Sequence, residues 1–176
     1  MAKITIFGLA GSGKTTVGKI ISEKLNYEFM STGNIFRQMA KDNNMELNEF
    51  EDFTKGDEKY DRELDEVRVT EYGKNNKDFV MESRLAWHFI PDSIKIRLHC
   101  DDAERMRRVA ERENKTIEKA KEETEHRENT IFEKYKTLYD IDDINDPNNF
   151  DLNINTTHND ASKVSEMILE FVETHK

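Results

Sequence analysis

Apolar positions along the chain fall into short β-branched runs separated by longer amphipathic stretches. Lys3–Phe7 predicts a first strand, and Lys14–Leu25 then places Val17, Ile20, Ile21 and Leu25 at helical spacing. Tyr27–Met30 predicts a second strand, followed by a helix that carries Ile35, Phe36, Met39 and Ala40. Further strands are expected at Asp78–Met81, Ser93–Cys100 and Asp151–Asn155. Helices are expected over Asp102–Glu113, from about Thr116 to Tyr139, and over Asp160–Thr174. Strands that alternate with crossover helices imply an α/β fold: an open parallel sheet of about five strands wrapped by helices.

Two acidic stretches interrupt that alternation, 46–74 (helical around Leu47–Phe53 and Glu58–Gly73) and 114–140. Both carry few obvious core residues, so they are expected to be mobile flaps over the carboxyl edge of the sheet, where open α/β sheets bind ligands. Composition agrees with long solvated faces: charged residues make up 36% of the 176, hydrophobic ones 35%, and the net charge is −10. So acidic a chain is a poor partner for duplex nucleic acid, which needs a basic face. No apolar stretch is long enough to span a bilayer. The one cysteine, Cys100, excludes an internal disulfide, fits a reducing compartment, and is expected in the core. A soluble, cytoplasmic protein is the expectation. The five histidines have no metal-binding spacing.

The candidate chemistry begins where the first strand ends. Gly8-Leu9-Ala10-Gly11-Ser12-Gly13-Lys14-Thr15 matches the phosphate-loop pattern G-x-x-x-x-G-K-[ST] without a mismatch, and Thr16 follows it. The glycines let successive N–H groups turn onto one anion, and the next helix adds its positive end. Lys14 is then placed for the β- and γ-phosphates of ATP, and the Thr15 hydroxyl for Mg²⁺. The loop makes the expected fold P-loop NTP hydrolase-like. It leaves the acceptor open. The guanine-reading N-K-x-D is missed, since Asn76-Lys77-Asp78 has its Asp one position early. A kinase for a nucleoside monophosphate needs arginines to bring two polyanions together rather than a general base.

The arginines suit that demand. Arg105, Arg108 and Arg112 form a stripe on one helix, either an anion site or a solvated face paired with Glu104, Glu111 and Glu113. Arg127 falls on the stripe of Ile117, Ala120, Thr124, Ile131, Tyr135 and Leu138, so it is expected to face inward, toward Glu123, Glu128 or a ligand phosphate. Arg84 follows the third strand, and Arg37 lies one turn into the helix after the second, near Ser31 and Gly33. Glu82, at a strand end beside the loop, is a candidate for orienting Mg²⁺-bound water or for capping a helix.

Beyond these separate signals, the chain resembles the short, archaeal-type cytidylate kinases among the nucleoside monophosphate kinases. The likeness rests on GLAGSGKTT at 8–16, STGNIFRQMA at 31–40, YDRELD at 60–65 and ESRLA at 82–86. It continues through ERMRRVAERE at 104–113, YKTLYDID at 135–142 and DLNINT at 151–156. The resemblance implies γ-phosphate transfer from ATP to CMP or dCMP, with Mg²⁺, by a monomer. Its single domain would carry a monophosphate-binding insert at roughly 31–76 and a LID insert at roughly 113–140. It implies that Ser31, Gly33, Arg37 and Arg84 hold the acceptor, that Arg108 and Arg112 belong to the ATP side, and that Lys14, Arg84 and Arg127 act on the transferring group. It places Asn155-Thr156-Thr157 on the loop beside the adenine. Ser83 stands where Gly is common in the family, and Ile131 and Lys134 stand where an acidic residue and Arg are common. Rival readings are a kinase for AMP, UMP or a small metabolite, and a non-catalytic ATP-binding regulator.

Overall fold

A computed structural model describes residues 1–45 and 47–175; Glu46, where the first acidic stretch was expected to begin, lies outside them. Five parallel strands form one sheet: β1 (Lys3–Gly8), β2 (Glu28–Ser31), β3 (Phe79–Glu82), β4 (Ile94–His99) and β5 (Leu152–Asn155). Their order is β2-β3-β1-β4-β5, with Ile4 level with Val80 on one side and Ile94 on the other. The chain reverses direction across the sheet at β1, so the loop leaving it sits at the switch point where such sheets open a crevice.

Alternation along the strands builds the two layers. Ile4, Ile6, Val80, Ile96, Leu98 and Ile154 face helices α1 (Lys14–Leu25) and, at the end of the chain, Ala161–Thr174, through Val17, Ile21, Val164, Ile168 and Val172. On the opposite face, Phe7 packs with Leu85, Trp87, Ile144 and Phe150.

Between β2 and β3 run α2 (Thr32–Asp42), α3 (Leu47–Thr54), α4 (Glu58–Arg62), a π-helical turn over Glu63–Arg68, and α5 (Val69–Asn75). The helix expected over Glu58–Gly73 is therefore interrupted by the π-turn. The expectation that this stretch lacks a core is corrected as well. Met39, Ala40 and Phe50 are buried together and joined by Ile35, Phe36, Tyr60 and Leu64, giving the insert a small core of its own. After β3 comes α6 (Ala86–Phe89); after β4, α7 (Asp102–Glu113) and α8 (Ile117–Tyr139). The two halves of α8 differ. Ala120 docks on Val109 and Ala110 of α7, whereas Tyr135 and Tyr139 join the aromatic cluster beneath the sheet. The second acidic stretch is thus anchored at both ends. Cys100 is half-buried rather than in the core, with its Sγ 3.8 Å from the Thr157 hydroxyl.

Candidate active site

The phosphate loop turns through two left-handed glycines, Gly11 at φ 80° and Gly13 at φ 89°. A Cβ on Gly11 would stand 2.5 Å from the Arg105 carbonyl oxygen, so only glycine fits there. Three consecutive loop carbonyls are each held by a side chain from outside the loop. Ala10 O accepts from Arg105 Nη1 (3.0 Å), Gly11 O from Arg108 Nη1 (3.3 Å), and Ser12 O from the Thr156 hydroxyl (3.0 Å). Because a peptide is planar and trans, each held carbonyl aims the following N–H the opposite way. The Ser12 N–H is used within the loop, donating to Leu9 O at 3.1 Å. Those of Gly11 and Gly13 have no protein acceptor among the described residues, and they start a nest of the kind that binds anions.

Two adjoining clefts flank this loop. One, of about 380 Å³, is lined by Gly11, Gly13, Lys14, Thr15, Arg108 and Arg112. The other, of about 230 Å³, lies between Thr16, Val17, Arg108, Thr156, Asn159 and Val164. Arg108 separates them, fixed by Glu104 (2.8 Å) and by the carbonyls of Thr156 (2.8 Å) and Thr157 (3.4 Å). Burial lowers the Lys14 pKa, with Glu82 opposing the shift and the nearby charges of Arg84 and Arg112 adding to it. Lys14 thus sits among both charges, the cations Arg84 and Arg112 and the carboxylates Glu82 and Glu128, beside the anion nest of the loop.

Arg84 stands on a rigid turn. The Ser83 hydroxyl accepts from the backbone N–H of Leu85 and of Ala86, both at 3.1 Å, and the Trp87 indole donates to Arg84 O at 2.9 Å. Ser83 is buried, so its hydroxyl is spent on this turn. The half-buried Arg84 side chain lies beside the hydroxyl of Tyr135. Asp65 lies near both, 5% exposed on the π-turn, where burial and then the charge of Asp61 raise its pKa to about 7. Asp61 in turn makes an ion pair with Lys134 of α8. The same surroundings, burial first and Asp65 second, push the Tyr135 phenol well above its ordinary value.

The remaining predicted residues are spread more widely. Ser31 is buried and caps α2, accepting from Asn34 N at 3.1 Å. Gly33 opens the same helix, and the exposed Arg37 donates to Asn34 Oδ1 at 2.5 Å, with Gly33 beside its guanidinium. Arg112 is exposed and paired with Glu113 at 2.9 Å. Arg127 does not face inward. The buried stripe of α8 runs through Thr124 and Glu128, and Arg127 is exposed, with no partner among the described residues. The acids expected to meet it are taken: Glu128 by Arg105, and Glu123 by Lys115 and Lys119. Ile117, counted on the same stripe, is 50% exposed.

Arg105 was one of the stripe on α7, yet it does not share the site with Arg108 and Arg112. It is 4% exposed, with its guanidinium between the loop and α8. Apart from Asp102 on the same helix, its partners stand 23 and 95 positions away, so spacing along the chain gives no sign of them.

Residues 3–158 match the cytidylate kinase-like family. The chain belongs to that family. A cytidylate kinase of Halobacterium salinarum is 38% identical over 175 residues, spanning 98% of this chain and 90% of the relative. One from Methanobrevibacter smithii is 36% identical over 166 residues, spanning 94% and 95%. Among solved structures, shikimate kinase from Acinetobacter baumannii in complex with shikimate superposes with a TM-score of 0.68. It covers all of this chain and 95% of that one at 18% identity, a likeness of fold. For a family member, the open α/β sheet with its loop after β1 is the framework on which phosphoryl transfer is built.

Proposed function

We propose that the protein transfers the γ-phosphate of ATP to CMP or dCMP, forming ADP and CDP or dCDP. The observation that carries this reading is Arg84. It is a cation held on a rigid turn at the carboxyl end of β3, with Lys14 of the donor loop on one side and Tyr135 of α8 on the other. An arginine placed there meets the acceptor's phosphate rather than its base, and holds it in line with the γ-phosphate. The shared name of the archaeal relatives supports cytosine as the base.

In this reading the residues 8–16 hold the phosphates through the free amides and Lys14, while the cleft between Thr16, Arg108 and Thr156 takes the adenine. Ser31, Gly33 and Arg37 bind the acceptor together with Arg84. Arg112 and Arg127 come down over the transferring group as the 113–140 insert closes, excluding water that would otherwise hydrolyse ATP. The 31–76 insert moves with the acceptor, and the whole is one domain. No general base is required, because the attacking oxygen already belongs to a phosphate.

The residues beside Lys14 suit Mg²⁺, a cation that prefers oxygen ligands. Thr15 presents a hydroxyl at the first turn of α1, and the half-buried Glu82 carboxylate has one buried oxygen, Oε2, without a hydrogen-bond partner among the described residues. When bound with ATP, the ion supplies charge neutralisation between the β- and γ-phosphates. The proposed working form is a monomer in the cytoplasm without nucleic-acid or membrane partners. Among the described residues, no helix is long and apolar enough to cross a membrane.

The test is ADP release measured across CMP, dCMP, UMP, AMP and GMP. Highest kcat/KM with CMP or dCMP is expected. A higher value with any other acceptor, or ADP release independent of acceptor, overturns the assignment.

A further inference from the structure

We infer that Arg105 is a positioning residue that ties helix α8 to the phosphate loop through Glu128, so that the nest for ATP is set by where α8 lies. It contacts no proposed substrate position. Its Nη1 donates to Ala10 O (3.0 Å) and to Glu128 Oε1 (2.9 Å), its Nη2 to Glu128 Oε2 (3.3 Å), and its Nε and Nη2 both to Asp102 Oδ1 (3.1 and 2.8 Å). Five donor contacts on one guanidinium leave it no freedom to follow any partner alone. The Glu128 side chain is 12% exposed, so this ion pair is shielded from solvent far more than the surface pairs of α7, such as Arg107 with Glu111.

Packing makes the same link independently. Ala10 sits in the seam formed by Val109 and Ala110 of α7 with Ala120 of α8, and Gly11 lies against the Arg105 backbone. Ala10 is therefore held twice, by its carbonyl from α7 and by its side chain from α7 and α8. Holding that carbonyl outward is what turns the Gly11 N–H into the nest. Glu128 keeps the fork of Arg105 aimed at Ala10 O. A shift of α8 that drew Glu128 away would release the peptide, and loading of the loop would in turn favour the docked α8 by the reciprocity of coupled equilibria.

The inference rests on the loop as the ATP site and is independent of the acceptor. Its test therefore uses ATP binding to the full chain, whatever the outcome of the acceptor assay. ATP affinity with Mg²⁺ is measured by calorimetry for wild type, Glu128→Gln, Arg105→Lys and the double variant, with the Gly11 amide resonance followed in the ligand-free proteins. The sign is diagnostic. Glu128 acts electrostatically on Lys14, so if only its charge mattered, neutralising it would tighten ATP binding. Positioning instead predicts that Glu128→Gln weakens ATP by more than about threefold, shifts the Gly11 resonance, and adds nothing further in the Arg105→Lys background. Tighter binding, a change within about threefold, or losses that multiply in the double variant overturn the inference. Should Glu128→Gln not fold, Glu128→Asp keeps the charge but shortens its reach. The same threshold then applies to it.

Discussion

The proposed donor and acceptor sides of the site are held in different ways. On the donor side, three successive loop carbonyls are gripped from α7 and from the loop after β5, and Arg108 is fixed by Glu104 and two carbonyls. On the acceptor side Arg84 stands on a rigid turn, but the exposed Arg37 has one asparagine partner, and the insert that carries it packs on its own small core. Arg127 has no partner among the described residues. On the proposed reading, the contrast means that the loop's nest is formed by the protein's own contacts, while the acceptor site is left for its ligand to complete. Preorganised donors act without reorganisation cost in the transition state. Exposed arginines can be recruited late, which delays assembly until both polyanions are present.

The comparison is broken most severely by damaging the rigid side. Gly11→Ala forces a side chain onto a positive φ and into the Arg105 carbonyl, and Lys14→Ala removes the loop's cation. Each is expected to lower kcat/KM on the order of 10²–10³-fold in steady-state assays of folded variants. On the acceptor side, Arg84→Ala is expected to cost about 10²-fold, largely in kcat. Arg37→Ala is expected to cost about tenfold, largely in the KM of the acceptor. Near-normal kcat for Arg84→Ala contradicts the role assigned to it.

Asp65 sharpens the comparison through stability. Its folded pKa of about 7 lies above the ordinary 3.8, so the stability gained by its protonated form is full below about pH 4 and is lost as pH rises through 7. Asp65→Asn escapes that loss. It is expected to melt at the same temperature as wild type at pH 4 and several degrees higher at pH 8, where the difference reaches at most about 4 kcal/mol. Identical melting temperatures at both pH values would show that the carboxyl is not held protonated. The smallest effect belongs to Glu111→Ala. This residue pairs on the surface with Arg107, and its loss is expected to leave kcat/KM within about twofold of wild type.

Local chemistry was legible in the sequence; contacts over long separations were not. The strands and α1 and α7 follow from short apolar runs and helical spacing, and the phosphate loop from one contiguous motif. Residue 127 was misplaced because one helical position is only about 100°. A stripe drawn through Thr124 and Ile131 admits either 127 or 128, and the ion pair of Glu128 with the buried Arg105 selects 128. The insert's core has no sequence pattern of its own, because its members, such as Met39, Phe50 and Tyr60, are scattered among acids and meet only after α2, α3 and α4 turn on one another. The π-turn that buries Asp65 has no sequence signature. Arg105 looked like its neighbours on α7 because its partners, Ala10 and Glu128, lie on other elements.

The most direct measurement is the product balance when wild-type protein is given ATP, Mg²⁺ and CMP, with the nucleotides separated and quantified over time. The account predicts that CDP and ADP appear in equal amounts, with negligible ADP when CMP is withheld. ADP accompanied by inorganic phosphate rather than CDP, or formed as fast without CMP, would contradict it.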